Sequence, residues 1–189
     1  MKTDFQLMTL KEISQLPKHI TYEEYNKLLD KIKNKKHKLF FYLLWITGGR
    51  VTDICNLKVE DFNFETKILD LRIKKTKKTE SITLTDRDCF EVKDYLHIKK
   101  IDKGLIFNFT RQNAWKLLRQ YSRLIGHPKL HPHMFRHGLA IYLLNNNVPI
   151  PIISARLGHS NTTITMNMYL KVTPEVQRLH LKDIKMRDD

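Results

Sequence analysis

Apolar residues recur along this chain at helical spacing, with one interruption where the period shortens to two. Thr21 followed by Glu24 three positions on is a capping box, and Tyr25, Leu28, Leu29 and Ile32 then line one helical face. Leu39, Phe40, Phe41, Leu43, Leu44 and Trp45 are apolar on most sides, which predicts a buried second helix. It stops at Gly48-Gly49, a helix-ending signal, and Arg50 opens a short helix carrying Val51, Ile54 and Leu57. Ile68, Leu69, Leu71 and Ile73 read as a strand, and Ser81-Ile82-Thr83-Leu84 as a second. The polar run Lys74 to Glu80 between them predicts a β-hairpin with a lysine-rich turn. Helices resume at Asp86–Lys100 and, after the apolar piece Leu105-Ile106-Phe107, at Arg111–Ile125. Shorter helical pieces are expected at Phe135–Leu144, Pro149–Leu157 and Thr162–Leu170, and an amphipathic segment from Pro174 to Ile184 carries Val176, Leu179 and Ile184. The pattern predicts one mainly α domain with a small antiparallel β-sheet, an α+β arrangement without repeats or linkers.

Size and composition narrow the class. With 189 residues the chain is long enough to close one core. A lead-in over 1–20 is expected, then a domain over 21–173 and a helical tail over 174–189. No apolar run approaches the roughly 18 residues a membrane span needs, and the N-terminus does not read as a signal peptide. Cys55 and Cys89 make no disulfide framework, so a cytoplasmic setting is the simpler expectation. Charge changes the picture most. Thirty-four Lys and Arg against 20 Asp and Glu leave +14, the electrostatic footprint of a polyanion partner. Nucleic acid, an anionic membrane surface and plain solubility all fit that number. The lack of a long basic amphipathic helix lowers the membrane option.

Several chemistries lack their residues. There is no Walker A loop, no G-x-G-x-x-G and no G-x-S-x-G. The two cysteines do not form a C-x-x-C pair for structural zinc, and no acidic cluster suits a two-metal nuclease, so neither a metal nor a cofactor is expected. His133 and Arg136 stand three apart on a helix beginning near Pro132, so they share a face at its N-terminal end, where an anion is favoured. Leu157-Gly158-His159 reads as a helix end, and Tyr169 lies in Met166-Asn167-Met168-Tyr169-Leu170. Singly, each of these residues reads as ordinary surface or core.

In order they form a pattern. Thr47-Gly48-Gly49-Arg50-Val51-Thr52-Asp53-Ile54-Cys55-Asn56-Leu57, a lysine-rich hairpin, Pro132-His133-Met134-Phe135-Arg136-His137, and Leu157-Gly158-His159-Ser160-Asn161 running to Tyr169 together resemble the catalytic domain of the tyrosine recombinase (phage-integrase-like) family. The resemblance covers about residues 21–171. It implies that Arg50 and Arg136 clamp the non-bridging oxygens of a scissile phosphate, that His133 assists proton removal, and that His159 donates a hydrogen bond to the phosphate. Tyr169 matches the nucleophile. Aligning Ile82-Thr83-Leu84 on the family's second strand puts the lysine general acid at Lys75, with Lys74, Lys77 and Lys78 within a small register error.

The implied activity is site-specific recombination of double-stranded DNA through a 3′-phosphotyrosyl link, by an integrase, resolvase or inverter, with no small-molecule substrate. A phenol with a pKa near 10 needs such help to attack at neutral pH. Two other readings stay open: a DNA-binding module that has lost catalysis, and relaxation of the type IB topoisomerase kind. Many family members carry an additional N-terminal helical domain, for which the lead-in leaves no room; the chain is therefore either a fragment or a short stand-alone enzyme. Gly138 and Gly49 occupy positions where a hydroxyl residue and a larger residue are common. A tail such as 174–189 often docks on a neighbouring protomer when four subunits assemble on DNA. Here Val176, Leu179 and Ile184 would make that contact, or would pack on their own domain.

Overall fold

The computed structural model describes residues 18–73 and 77–158. Residues 74–76 of the expected lysine-rich turn, the expected helix Thr162–Leu170 and the tail from Pro174 lie outside those residues. Helix α1 (Tyr22–Lys31) starts at the predicted capping box: the Glu24 N–H donates to Thr21 Oγ1 at 3.2 Å, and the Thr21 N–H to Glu24 Oε2 at 2.9 Å. Helix α2 (Lys35–Thr47) is capped by Asn34 and runs through the centre of the fold. Its residues Phe40, Phe41, Leu43 and Leu44 are each no more than 1% exposed, as expected for a helix apolar all round. Gly48 ends it in the left-handed conformation at φ 60°, which a Cβ disfavours.

Aromatic contacts tie α2 to its neighbours. Tyr25 stacks on Trp45 with centroids 4.4 Å apart, Phe40 meets Phe107 edge-on, and Phe41 stacks on Phe135. Truncating a buried ring of this kind costs about 3–5 kcal/mol. The short helix α3 (Val51–Cys55) follows the glycines, with Arg50 as its N-cap; it ends two residues before Leu57, where the sequence pattern carried it.

The sheet differs from expectation in two respects. It has three antiparallel strands, not two: β1 (Phe62–Asn63), β2 (Ile68–Ile73) and β3 (Lys78–Thr83), in the order β1-β2-β3. Two residues are too short to show a period, which is why β1 leaves no mark in the sequence. β3 also begins at Lys78, inside the polar run read as turn, because backbone pairing (Ile73↔Lys78, Arg72↔Thr79, Leu71↔Glu80) is indifferent to side-chain polarity.

The remaining α-helices among the described residues follow the sheet. They are α4 (Asp86–Lys99), α5 (Arg111–Leu124), α6 (Pro132–Asn145, with Pro132 in its first turn) and α7 (Ile150–Arg156). Leu105-Ile106-Phe107 runs beside the 57–59 segment, with the Ile106 N–H on the Leu57 carbonyl at 2.9 Å. α6 packs against α2 and α7. Gly138 on α6 has a specific purpose: a Cβ there would run into the Ile20 carbonyl and come within 2.9 Å of Trp45 Cζ3. The glycine lets the segment before α1 lie on α6, where the Ile20 N–H donates to the Met134 carbonyl at 3.3 Å.

A candidate phosphate-binding site

Two chain reversals, at Gly48-Gly49 and at Leu157-Gly158, meet around one side chain. Arg136 donates from Nη1 to the Gly48 carbonyl at 2.9 Å and from Nη2 to the Leu157 carbonyl. The first reversal is pinned by Thr47, whose hydroxyl donates to the Leu43 carbonyl at 2.6 Å and accepts from the Gly49 N–H at 3.0 Å. Gly49 is packed closely: a Cβ would lie 3.0 Å from Ile54 Cδ1 and 3.0 Å from Leu71 Cδ2. The second reversal is held by Arg156, which donates twice to the Ile46 carbonyl (2.9 and 2.7 Å) and once to the Thr83 carbonyl (3.1 Å). These bonds fasten α7 to the end of α2 and to β3.

A guanidinium carries five N–H donors. Two of those on Arg136 are used by the scaffold, which fixes the orientation of the group. Arg136 lines a cleft of about 520 Å³ with Arg50, Asp53, His133, Arg111 and Trp115. Arg50 is half-exposed and forms a 3.8 Å ion pair with Asp53, which is buried. Burial and the neighbouring Arg50 push the Arg136 guanidinium down to about 10, while Glu80 and Asp53 oppose that shift. It remains charged at neutral pH. An oxyanion entering here meets two cations, one of them fixed by the scaffold, and such placed charge is a strong source of electrostatic stabilisation.

The structure therefore brings three of the sequence-derived candidates, Arg50, His133 and Arg136, to one cleft. Lys75, with the alternative Lys74, His159 and Tyr169 lie outside the described residues. Lys77 and Lys78 are described: Lys77 is exposed with φ 55°, its N–H on the Ile73 carbonyl at 2.9 Å, and Lys78 opens β3. Sequence reasoning missed Asp53, Arg111, Trp115, Arg156 and Glu80. Asp53 was within reach, being three residues after Arg50 on the same short helix. Arg111 and Trp115 stand one turn apart on α5, but nothing in their own stretch tells that this face looks onto the arginines.

Among the described residues no group of three His, Cys, Asp or Glu side chains could hold a metal ion, and no helix is long and apolar enough to cross a membrane. Both cysteines are buried and unpaired, and burial pushes the Cys55 thiol up to about 11.

Known proteins share this architecture. The chain is 34% identical over 180 residues to tyrosine recombinase XerA of Pyrococcus horikoshii, covering 90% of this chain and 62% of that protein. It is 35% identical over 179 residues to XerA of Pyrococcus furiosus, covering 89% and 60%. The chain thus spans about three-fifths of the length of these relatives. A crystal structure of XerA recombinase superposes with a TM-score of 0.74 at 22% identity, over 92% of this chain and 67% of that one. The catalytic domain of bacteriophage HP1 integrase gives 0.65 at 18% identity, over 87% and 94%. The sequence model of the phage integrase family matches residues 18–187, and with the fold in agreement the chain belongs to that family.

Proposed function

We propose that this chain is the catalytic part of a site-specific DNA recombinase that cleaves and religates DNA through a phosphotyrosine. The observation that carries the reading is the convergence of Arg50, Arg136 and His133 on one cleft, with Arg136 held by two backbone carbonyls. A relative in fold, the XerH recombinase, has been crystallised on its difH substrate before cleavage (TM-score 0.69, 22% identity, 95% of this chain and 56% of that one). Double-stranded DNA is accordingly the partner we assign, and the net charge of +14 favours it.

In this reading Arg50 and Arg136 take the non-bridging oxygens of one phosphate. The Tyr169 hydroxyl attacks phosphorus, forming an O–P bond at the 3′ side while the 5′ oxygen departs. His133 assists removal of the phenolic proton, His159 donates to the phosphate, and Lys75 returns a proton to the departing oxygen. The phosphodiester energy is kept in the phosphotyrosyl bond, so an incoming 5′-hydroxyl reverses the step and no external energy source is consumed. A 5′-hydroxyl from a partner strand makes the outcome recombination. The proposal extends to a cytoplasmic tetramer on DNA, with residues 174–189 bridging protomers through Val176, Leu179 and Ile184.

The test is a nicked suicide substrate bearing candidate sites from the protein's own locus, with Tyr169→Phe as control. The expected result is a covalent protein–DNA band that the variant abolishes while still binding DNA. A band that persists in the variant removes Tyr169 as nucleophile, and DNA binding without any band, persisting when an N-terminal DNA-binding domain is fused to the chain, leaves only a binding module. Plasmid relaxation without strand exchange would select the topoisomerase-like outcome. Deleting residues 174–189 is expected to reduce assembly on DNA to lower order, and unchanged assembly would refute the bridging role.

A further inference from the structure

Along β3, Ser81 and Thr83 are exposed while Ile82 is buried. Glu80, two residues before Ile82 and paired with buried Leu71, has its side chain on the same inward face. Alternation calls for an apolar residue there. A carboxylate turned toward the interior costs free energy unless charge or hydrogen bonding offsets it. That offset comes from the arginine pair. The Glu80 carboxylate packs against Gly158, and Arg136 donates to the carbonyl of the preceding residue, Leu157, so both side chains abut one reversal. Its charge interacts with both Arg136 and Arg50, which favour its ionised form against the larger effect of burial and against Asp53.

With both carboxylates ionised, Arg50, Arg136, Asp53 and Glu80 together carry two positive and two negative charges. As a cluster of four they are formally neutral, although the cleft is where a phosphate is expected to bind. Without Glu80 the same cluster carries a net positive charge. An incoming phosphate therefore competes with a carboxylate whose charge already acts on both guanidiniums.

We propose that Glu80 is an internal counter-ion of the Arg50–Arg136 pair: it positions the two guanidiniums before DNA arrives and weakens phosphate entry. Glu80 is thus a positioning residue whose charge sets how tightly the cradle takes DNA. The inference rests on the reading that this pair receives a DNA phosphate.

Glu80→Gln keeps the shape and removes the charge. Asp30→Asn, on the exposed side of α1 and lining a different cavity, makes the same change in net charge far from the cleft. Binding of a mixed-sequence duplex is measured at a series of salt concentrations, all in the Tyr169→Phe background so that no cleavage intervenes. Glu80→Gln is expected to bind about 3- to 30-fold tighter, with a log–log salt slope steeper by up to about 0.9; Asp30→Asn is expected to change little. Glu80→Leu, which restores the apolar alternation and so should fold, is expected to follow Glu80→Gln. Affinity and slope for both Glu80 variants no different from Asp30→Asn, or weaker binding with an unchanged melting temperature, would overturn the counter-ion role. Failure of the parent protein to bind duplex at all would instead refute the DNA reading beneath it.

Discussion

Replacing Arg136 by lysine keeps one positive charge and removes the fork that spans two carbonyls. The guanidinium now reaches the Gly48 carbonyl at 2.9 Å and the Leu157 carbonyl with separate nitrogens. A lysine ammonium is a single point that satisfies one of these carbonyls and leaves the other without its donor. A hydrogen bond to a charged group contributes about 1.5–3 kcal/mol net, so Arg136→Lys is expected to lose about that much stability, or roughly 3–12 °C in melting temperature at about 2–4 °C per kcal/mol. The lysine also presents fewer oriented donors to the phosphate proposed to bind there. Loss of one transition-state donor costs about 2.7–4 kcal/mol, a factor of about 10²–10³ in rate. Urea unfolding reads the first quantity, and single-turnover formation of the covalent complex at saturating DNA reads the second. Both are expected to fall together, because one side chain serves scaffold and site. A variant with unchanged stability, or a destabilised one that cleaves at the parent rate, would refute the account of Arg136 as the joint between the two reversals.

Arg156→Ala removes three donations to the carbonyls of Ile46 and Thr83 and is expected to cost about 2–4 kcal/mol, read by chemical denaturation. Arg156→Lys is expected to recover less than half of that. Gly138→Ser places a Cβ against the Ile20 carbonyl and Trp45; overpacking of this kind costs about 1–3 kcal/mol, and a thermal melt at or above that of the parent would contradict the contact. Burial, reinforced by neighbouring positive charge, lowers the imidazole pKa of both His131 and His137. A group whose folded pKa lies below its unfolded value stabilises the fold above the unfolded value, near 6.5, and that stability is lost as pH falls through the folded pKa. His137, whose Nδ1 is buried without a hydrogen-bond partner among the described residues, should carry part of this dependence. Unfolding free energy between pH 7.5 and 5 is therefore expected to fall less steeply for His137→Phe than for the parent, and parallel profiles would refute it.

Much of this protein was legible from periodicity and local chemistry. The capping box at Thr21, the all-apolar run of α2 and the glycine stop at Gly48 are local signals, acting within one or two turns, and each appears in the fold where the sequence put it. The family pattern named Arg50, His133 and Arg136 as candidates and the fold brings them to one cleft, although no spacing in the chain says that residues 50 and 136 meet. That meeting is tertiary: it requires α6 to pack on α2 so that one guanidinium can bridge the Gly48 and Leu157 carbonyls. β1 was invisible because a strand of two residues has no period. The start of β3 was hidden because polar side chains mask a backbone pairing that does not depend on them. Glu80 shows the limit most clearly. In the sequence it belongs to a charged turn; only the register with Leu71 turns it inward, and only the approach of the 157–158 reversal brings its carboxylate to the corner that Arg136 bridges. Local interactions settle which segments are helical and where they stop. Which charges face one another is decided by packing across many residues, because Coulomb interactions follow distance in space, not along the chain.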